Sequence, residues 1–211
     1  MTKATSNVFS GVFPPDTHVN VGFDMFRFYD RTRQGILHIN GVIDAGTSIA
    51  LQDYFLVADQ FGTKEIFLKL NSPGGDVIEA LAVYDLLVGS QKRITATVTG
   101  LAASAASMII LQAAHTRQAL PHARLMIHEI RRFAFGTERQ SETKRVIKEM
   151  NALQDQMLGI LTKRTGRTVA EFVRLTKEGD CWMNAKEALD WQLVDKIVER
   201  NIKDFSPGLE D

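Results

Sequence analysis

Four short stretches of the 211-residue chain carry side chains that could do chemistry together. The run Gly100-Leu-Ala-Ala-Ser104-Ala-Ala-Ser107 sets two hydroxyls among small residues, just after a β-branched segment. The pattern predicts a strand ending at Gly100 and a buried helix from Leu101 to Ala114. A serine in the first turn of a helix lies at the positive end of its dipole, and the alanines leave room for a substrate backbone. Such a serine can attack a carbonyl, or it can simply cap the helix. Ser72-Pro73-Gly74-Gly75 follows the apolar run Glu65–Leu70. Two glycines let a ligand approach the backbone closely, and N–H groups ahead of a helix favour negative charge. The motif reads as an oxyanion hole or as an ordinary strand-to-helix turn. His128 ends the strand Arg124-Leu-Met-Ile, and strand carboxyl ends are where α/β proteins place ligands. Its side chain titrates near neutrality and can serve as a general base, although a lone histidine is more often structural. Asp180, between Glu178-Gly179 and Cys181-Trp182-Met183, is a fixed carboxylate or a turn residue.

Each stretch is ambiguous alone. Together they fill the roles of nucleophile, base, orienting carboxylate and oxyanion donors. The chain order Ser…His…Asp is not that of chymotrypsin, subtilisin or the α/β-hydrolases. Competing chemistries lose ground on what the chain lacks. It has no G-x-G-x-x-G, no Walker A motif, no H-E-x-x-H, no EF-hand loop and no G-x-S-x-G elbow. Its five histidines (18, 38, 115, 122 and 128) show no paired ligand spacing, and the single Cys181 excludes a multi-cysteine zinc site or a disulfide framework. No cofactor and no metal are expected.

The elements that must position these residues follow from periodicity. Gly35–Ile43 reads as a strand, Ser48–Phe61 as a helix, Glu65–Leu70 as a strand and Asp76–Val88 as a helix. Arg93–Thr99 and Arg124–His128 read as further strands. Alternation of strand and helix predicts parallel crossovers, hence an α/β fold. A long amphipathic helix is predicted over Thr137–Arg164, with apolar residues at Val146 or Ile147, Met150, Leu153, Met157, Ile160 and Leu161. Thr137 with Gln140 forms a candidate capping box at its start, and Gly166 is a candidate C′ residue. Thr168 with Glu171 and Asn184 with Glu187 open two shorter helices, to about Lys177 and Trp191. Leu193–Val198 reads as a last strand or edge. Residues 1–34 read as an N-terminal arm, 35–200 as the main domain and 201–211 as a polar tail.

Composition narrows the setting. Apolar residues make up 45% and charged residues 24%, as in ordinary globular domains. Lys and Arg equal Asp and Glu at 25 each, so no overall field draws the chain to nucleic acid or to an anionic membrane. Leu101–Ala114, the longest weakly polar run, falls short of the about 20 residues a membrane span needs. The first twenty residues hold no continuous apolar stretch, so a secretory signal is not expected and the cytoplasm is.

Four segments, Leu68-Lys-Leu-Asn-Ser-Pro-Gly-Gly-Asp-Val77, Gly100-Leu-Ala-Ala-Ser104, Leu125-Met-Ile-His128 and Asp180-Cys-Trp-Met-Asn-Ala-Lys-Glu-Ala188 with Leu193-Val-Asp195, resemble the ClpP family, the proteolytic subunits of Clp proteases. They stand in the family's order and at similar spacing, over about residues 35–200. The resemblance implies a crotonase-like α/β spiral of βαβ units with a protruding handle helix, about 129–165. It implies a self-compartmentalising serine endopeptidase acting on peptides and unfolded proteins. It carries over Ser104 as nucleophile, His128 as base, Asp180 as orienter, and the Gly75 and Ala105 N–H groups as oxyanion hole. It also implies homo-oligomeric heptameric rings, stacked in pairs through the handle, and a Clp-type ATPase unfoldase as partner. Of the two neighbouring serines, Ser104 keeps the spacing from Gly75. Ser107 lies about 4.5 Å further along a helix axis, with its hydroxyl expected to bond back to a carbonyl one turn earlier.

The chain also departs from the family pattern. His128 is followed by Glu-Ile-Arg-Arg-Phe where the family continues with Gln-Pro and glycines. Glu178-Gly179 stands where an acidic residue and an arginine precede the catalytic aspartate. The first thirty-five residues do not match the family's axial-pore arm. Arg131, Arg132, Arg139 and Arg145 make the handle basic. The alanine-rich serine motif also resembles phage ClpP-like peptidases, which makes a capsid-maturation peptidase the alternative role. A non-proteolytic crotonase-like acyl-CoA enzyme is the weaker alternative, because it needs no Ser–His–Asp set.

Overall fold

Isoleucine, leucine, valine and alanine supply most of the buried positions of three runs that lie side by side as parallel strands, the inner two buried on both faces in the manner of α/β sheets. They are β1 (Ile36–Asn40), β2 (Glu65–Ser72) and β3 (Arg93–Ala103). The computed structural model describes residues 28–131 and 140–199. Helix α1 (Ala45–Gln60) connects β1 to β2, and α2 (Val77–Gly89) connects β2 to β3. Both start on an aspartate that satisfies free N–H groups of the first turn. Asp44 accepts from Thr47 N, and Asp76 accepts from Ile78 N and Glu79 N.

Strand β3 is longer than its neighbours and serves two partners. Thr95–Val98 pairs with β4 (Thr116–Ala119), and Leu101–Ala103 pairs with β5 (Arg124–Ile127), both parallel. Strand β6 (Cys181–Asn184) runs antiparallel to β5, with Ile127 opposite Cys181. The two-residue β7 (Lys196–Ile197) lies beside β4. Helices α3 (Gln140–Thr165), α4 (Val169–Thr176) and α5 (Ala185–Asp190) complete the described chain. The C-terminal part of α3 buries Met157, Leu158 and Leu161, whereas Ile147 nearer its start is 51% exposed. Among the described residues no helix is long and apolar enough to cross a membrane.

Several expectations hold. The Thr168–Glu171 and Asn184–Glu187 capping boxes both form, and Gly166 follows α3 in the left-handed region at φ +70°. The Thr137 cap lies outside the described residues. Three others are corrected. Gly100 does not end β3, and Leu101–Ala114 is not one helix. The strand continues to Ala103 because β5 offers a second set of ladder partners, and pairing overrides the helix preference of alanine. A π-helical turn (Ala106–Ile110) and a 3-10 turn (Leu111–Ala113) follow. The final strand is two residues, not six. Strands β4 and β6 had no period-2 apolar signal. In β4 the buried Arg117 is held by Asp195 and by the Gln112 Oε1, 2.6 Å away.

Candidate active site

Ser104 is the first residue after β3, and its backbone is bent sharply. Its φ is +54°, a conformation uncommon for residues other than glycine. Three backbone hydrogen bonds fix it. Its N–H donates to Met126 O of β5 at 2.9 Å, and its carbonyl accepts from Ser107 N at 3.0 Å and Met108 N at 2.9 Å. The serine therefore sits on a strand-to-helix corner with its hydroxyl turned out of the ladder, half-buried.

His128 follows β5 directly. Because Ala103 pairs with Met126, the ends of β3 and β5 bring the two side chains together. His128 Nε2 lies 2.7 Å from Ser104 Oγ, within the range for proton transfer from a hydroxyl. Burial holds the imidazole below its ordinary value near 6.5, and the Arg131 charge adds to this, while Asp180 and the Glu129 backbone oppose it. The ring is thus neutral at neutral pH, able to accept the Ser104 proton at Nε2. The other ring nitrogen, Nδ1, is buried and has no hydrogen-bond partner among the described residues.

The Ser72–Gly75 turn lies against the Ser104 corner. Gly74 has φ +92°, and a Cβ there would stand 2.7 Å from Ser104 Cβ and 3.1 Å from Ala105 N. A Cβ on Gly75 would stand 2.1 Å from Ile43 O, to which the Asp76 N–H is bonded. Only glycine fits either place. Ser72 Oγ accepts the Gly74 N–H at 3.0 Å and stiffens the turn. Among the described residues, no protein acceptor takes the Gly75 or the Ala105 N–H. An oxyanion hole needs N–H groups left unpaired in this way.

Asp180 stands one residue before β6. The antiparallel register of Ile127 with Cys181 places it, one step on, across from His128. Its carboxylate nevertheless bonds Nη2 of Arg131, not His128. The pair is partly in solvent, Arg131 being 56% and Asp180 31% exposed. The structure thus brings Ser104 to His128 and sets Gly75 and Ala105 beside them, but leaves Asp180 off the ring. Arg131, read from the sequence only as part of a basic handle, was the missed contributor. Its signal was the charged run that replaces the family's Gln-Pro after the histidine. Gln154 was also missed. Its Oε1 accepts the Ile130 N–H at 2.8 Å and anchors the segment after His128 to α3; nothing in the sequence marks it.

A groove of about 480 Å³ reaches Gly75 and is lined by Val77, Ile78, Ile130, Arg131 and Met150 among others, though not by Ser104 or His128 themselves. Its lining is mostly apolar. Two larger hollows, of about 540 Å³ beside β1 and about 680 Å³ around Trp191, touch neither Ser104 nor His128.

The chain is similar to known proteins over most of its length. The chain is 31% identical over 206 residues to the ATP-dependent Clp protease proteolytic subunit of Porphyromonas gingivalis, covering 96% of this chain and 90% of that protein. Residues 23–201 match the family model of the Clp protease. With most of its length matched and its strands and helices in an α/β arrangement, the chain belongs to the Clp protease family of serine peptidases.

Proposed function

We propose that this chain hydrolyses peptide bonds by the Ser104–His128 pair, through an acyl-enzyme. Ser104 Oγ attacks the substrate carbonyl carbon while its proton passes to His128 Nε2. The carbonyl oxygen becomes the oxyanion, held by the Gly75 and Ala105 N–H groups. The tetrahedral intermediate collapses as the imidazolium returns the proton to the departing amine. Water then attacks the ester by the same route, and Ser104 is regenerated. Asp180 stabilises the imidazolium and fixes its tautomer when it engages Nδ1. The single observation that carries this reading is the 2.7 Å contact between Nε2 and Oγ.

The working form is a homo-oligomer of heptameric rings stacked in pairs, with the sites facing a closed chamber in the cytoplasm. The N-terminal half of α3 supports a subunit contact. Val146, Ile147 and Met150 form an apolar stripe there that the described chain leaves partly or wholly uncovered. In this reading residues 35–200 form the peptidase domain, 129–165 the handle, and 1–34 and 201–211 an arm and a tail. A Clp-type ATPase supplies unfolded substrates. Labelling by a fluorophosphonate and hydrolysis of short peptides, both absent in Ser104→Ala, test the chemistry. The particle mass of the native oligomer tests the rings.

A further inference from the structure

We propose that Arg131 is a positioning residue that withholds Asp180 from His128, so that the pair becomes a triad only when the guanidinium releases the carboxylate. This rests on the peptidase reading above. Three observations converge on it. The β5–β6 register sets Asp180 opposite His128, where it could serve Nδ1. That nitrogen is buried and has no partner. The carboxylate that would fill the vacancy is bound to Arg131 instead. A buried donor without an acceptor is unfavourable, so a released Asp180 carboxylate has an unmet donor to serve.

Arg131 is suited to the task by its surroundings. The Gln154 bond to Ile130 N fixes the backbone next to it, so the guanidinium swings from a held point. It also lines the groove that reaches Gly75, where substrate would enter in the peptidase reading. The charged groups around His128 are Arg131 on its own segment and Asp180 ahead of β6. Those sharing the groove with Arg131 are Asp76 before α2 and Glu149 on α3. Glu149 is exposed and offers the guanidinium another carboxylate when it leaves Asp180. An exposed ion pair is weak enough to exchange on substrate binding. No backbone bond holds Asp180 to either partner.

The test compares the assembled full-length enzyme with Arg131→Gln, Arg131→Lys and Asp180→Asn, on a short peptide across pH. Arg131→Gln is expected to raise kcat/KM about fivefold, the factor an exposed ion pair can supply. Its acidic limb is expected to move to higher pH, because the imidazole loses a neighbouring cation and gains a carboxylate. Arg131→Lys should fall between wild type and Gln. Asp180→Asn should cost more in the Gln background than in wild type. Unchanged or lower kcat/KM in Arg131→Gln, an unmoved acidic limb, or equal costs of Asp180→Asn in both backgrounds would overturn the proposal. A wild-type enzyme that neither labels nor hydrolyses would instead overturn the peptidase reading.

Discussion

The two nitrogens of His128 face differently built surroundings. On the Nε2 side everything is backbone. β3 and β5 are in register, Ser104 N–H is on Met126 O, and the Gly74–Gly75 turn is packed against the corner at distances only glycine permits. On the Nδ1 side the contact that would complete the site depends on one partly exposed side chain, and that side chain is paired elsewhere. Nucleophile and base are held by elements that cannot move without unpairing strands. The orienting carboxylate is held by an ion pair that solvent screens. In the proposed reading the fold preorganises proton transfer and leaves its electrostatic support exchangeable.

The largest expected effects come from breaking the rigid side. Ser104→Ala should lower kcat by several orders of magnitude, as removal of a nucleophile does in other triads, with the particle mass unchanged. Activity within tenfold of wild type would show that another residue attacks. Gly75→Ala is next. Its Cβ would stand 2.1 Å from Ile43 O, so the turn must shift away from Ile43 and lose its present place beside the corner. A displacement of about 1 Å can cost on the order of a hundredfold in rate. That loss should appear in kcat, with a lowered Tm. Full activity in this variant would remove the Gly75 N–H from the oxyanion hole.

How far the sequence revealed these two sides differs for the same reason. Ser104, His128 and the glycine turn lie in contiguous motifs, and their geometry follows from strand ends, which local pattern locates. The Thr168 and Asn184 caps were readable because capping is a contact over three residues. The extension of β3 was not readable. Ala102 and Ala103 favour a helix until β5, more than twenty residues on, pairs with them. Nor was the capture of Asp180 by Arg131, a contact between residues 49 apart in the chain. It depends on a register set by β5 and β6, and β6 itself carries no alternation.

The exchangeable side has its own signature in pH. The His128 imidazole is held below its usual value, mainly by burial and then by Arg131. The base is active when neutral, so the acidic limb of kcat/KM should fall below the ordinary histidine value of about 6.5. The stability consequence has a definite sign. The unfolded chain binds this proton more readily, so this group's contribution is fully present above about pH 6.5. It declines as pH falls from there toward the folded value. A limb above 6.5 in the wild-type enzyme would mean that Asp180 already serves Nδ1 in solution.

The smallest effect is expected at Ser107, and it sharpens the rigid side by showing what that side does not need. Ser107 is fully buried, and its hydroxyl lies 2.6 Å from Met126 O and 3.0 Å from Ser104 O. The expected bond to a carbonyl one turn earlier is present, and the shorter contact crosses to β5. It therefore braces the carbonyl that fixes the Ser104 N–H. Removing it strands nothing. Met126 O keeps the Ser104 N–H, and Ser104 O keeps the N–H groups of Ser107 and Met108. Deleting the hydroxyl should then cost about 1 kcal/mol of stability, the typical net worth of one hydrogen bond. The Oγ is committed to backbone, and His128 Nε2 lies on Ser104, not on Ser107. Ser107→Ala should therefore keep kcat within about threefold of wild type, since the corner retains its three backbone bonds and the proton-transfer geometry stays within about 1 Å. Rate and Tm on the same preparation decide it. A small loss in Tm with near-normal turnover places the corner's rigidity in the β3–β5 ladder. A collapse of turnover with unchanged fluorophosphonate labelling would place it in this hydroxyl. Loss of labelling in Ser107→Ala, with labelling kept in Ser104→Ala, would move the nucleophile three residues and shift the oxyanion donor from Ala105 to Met108.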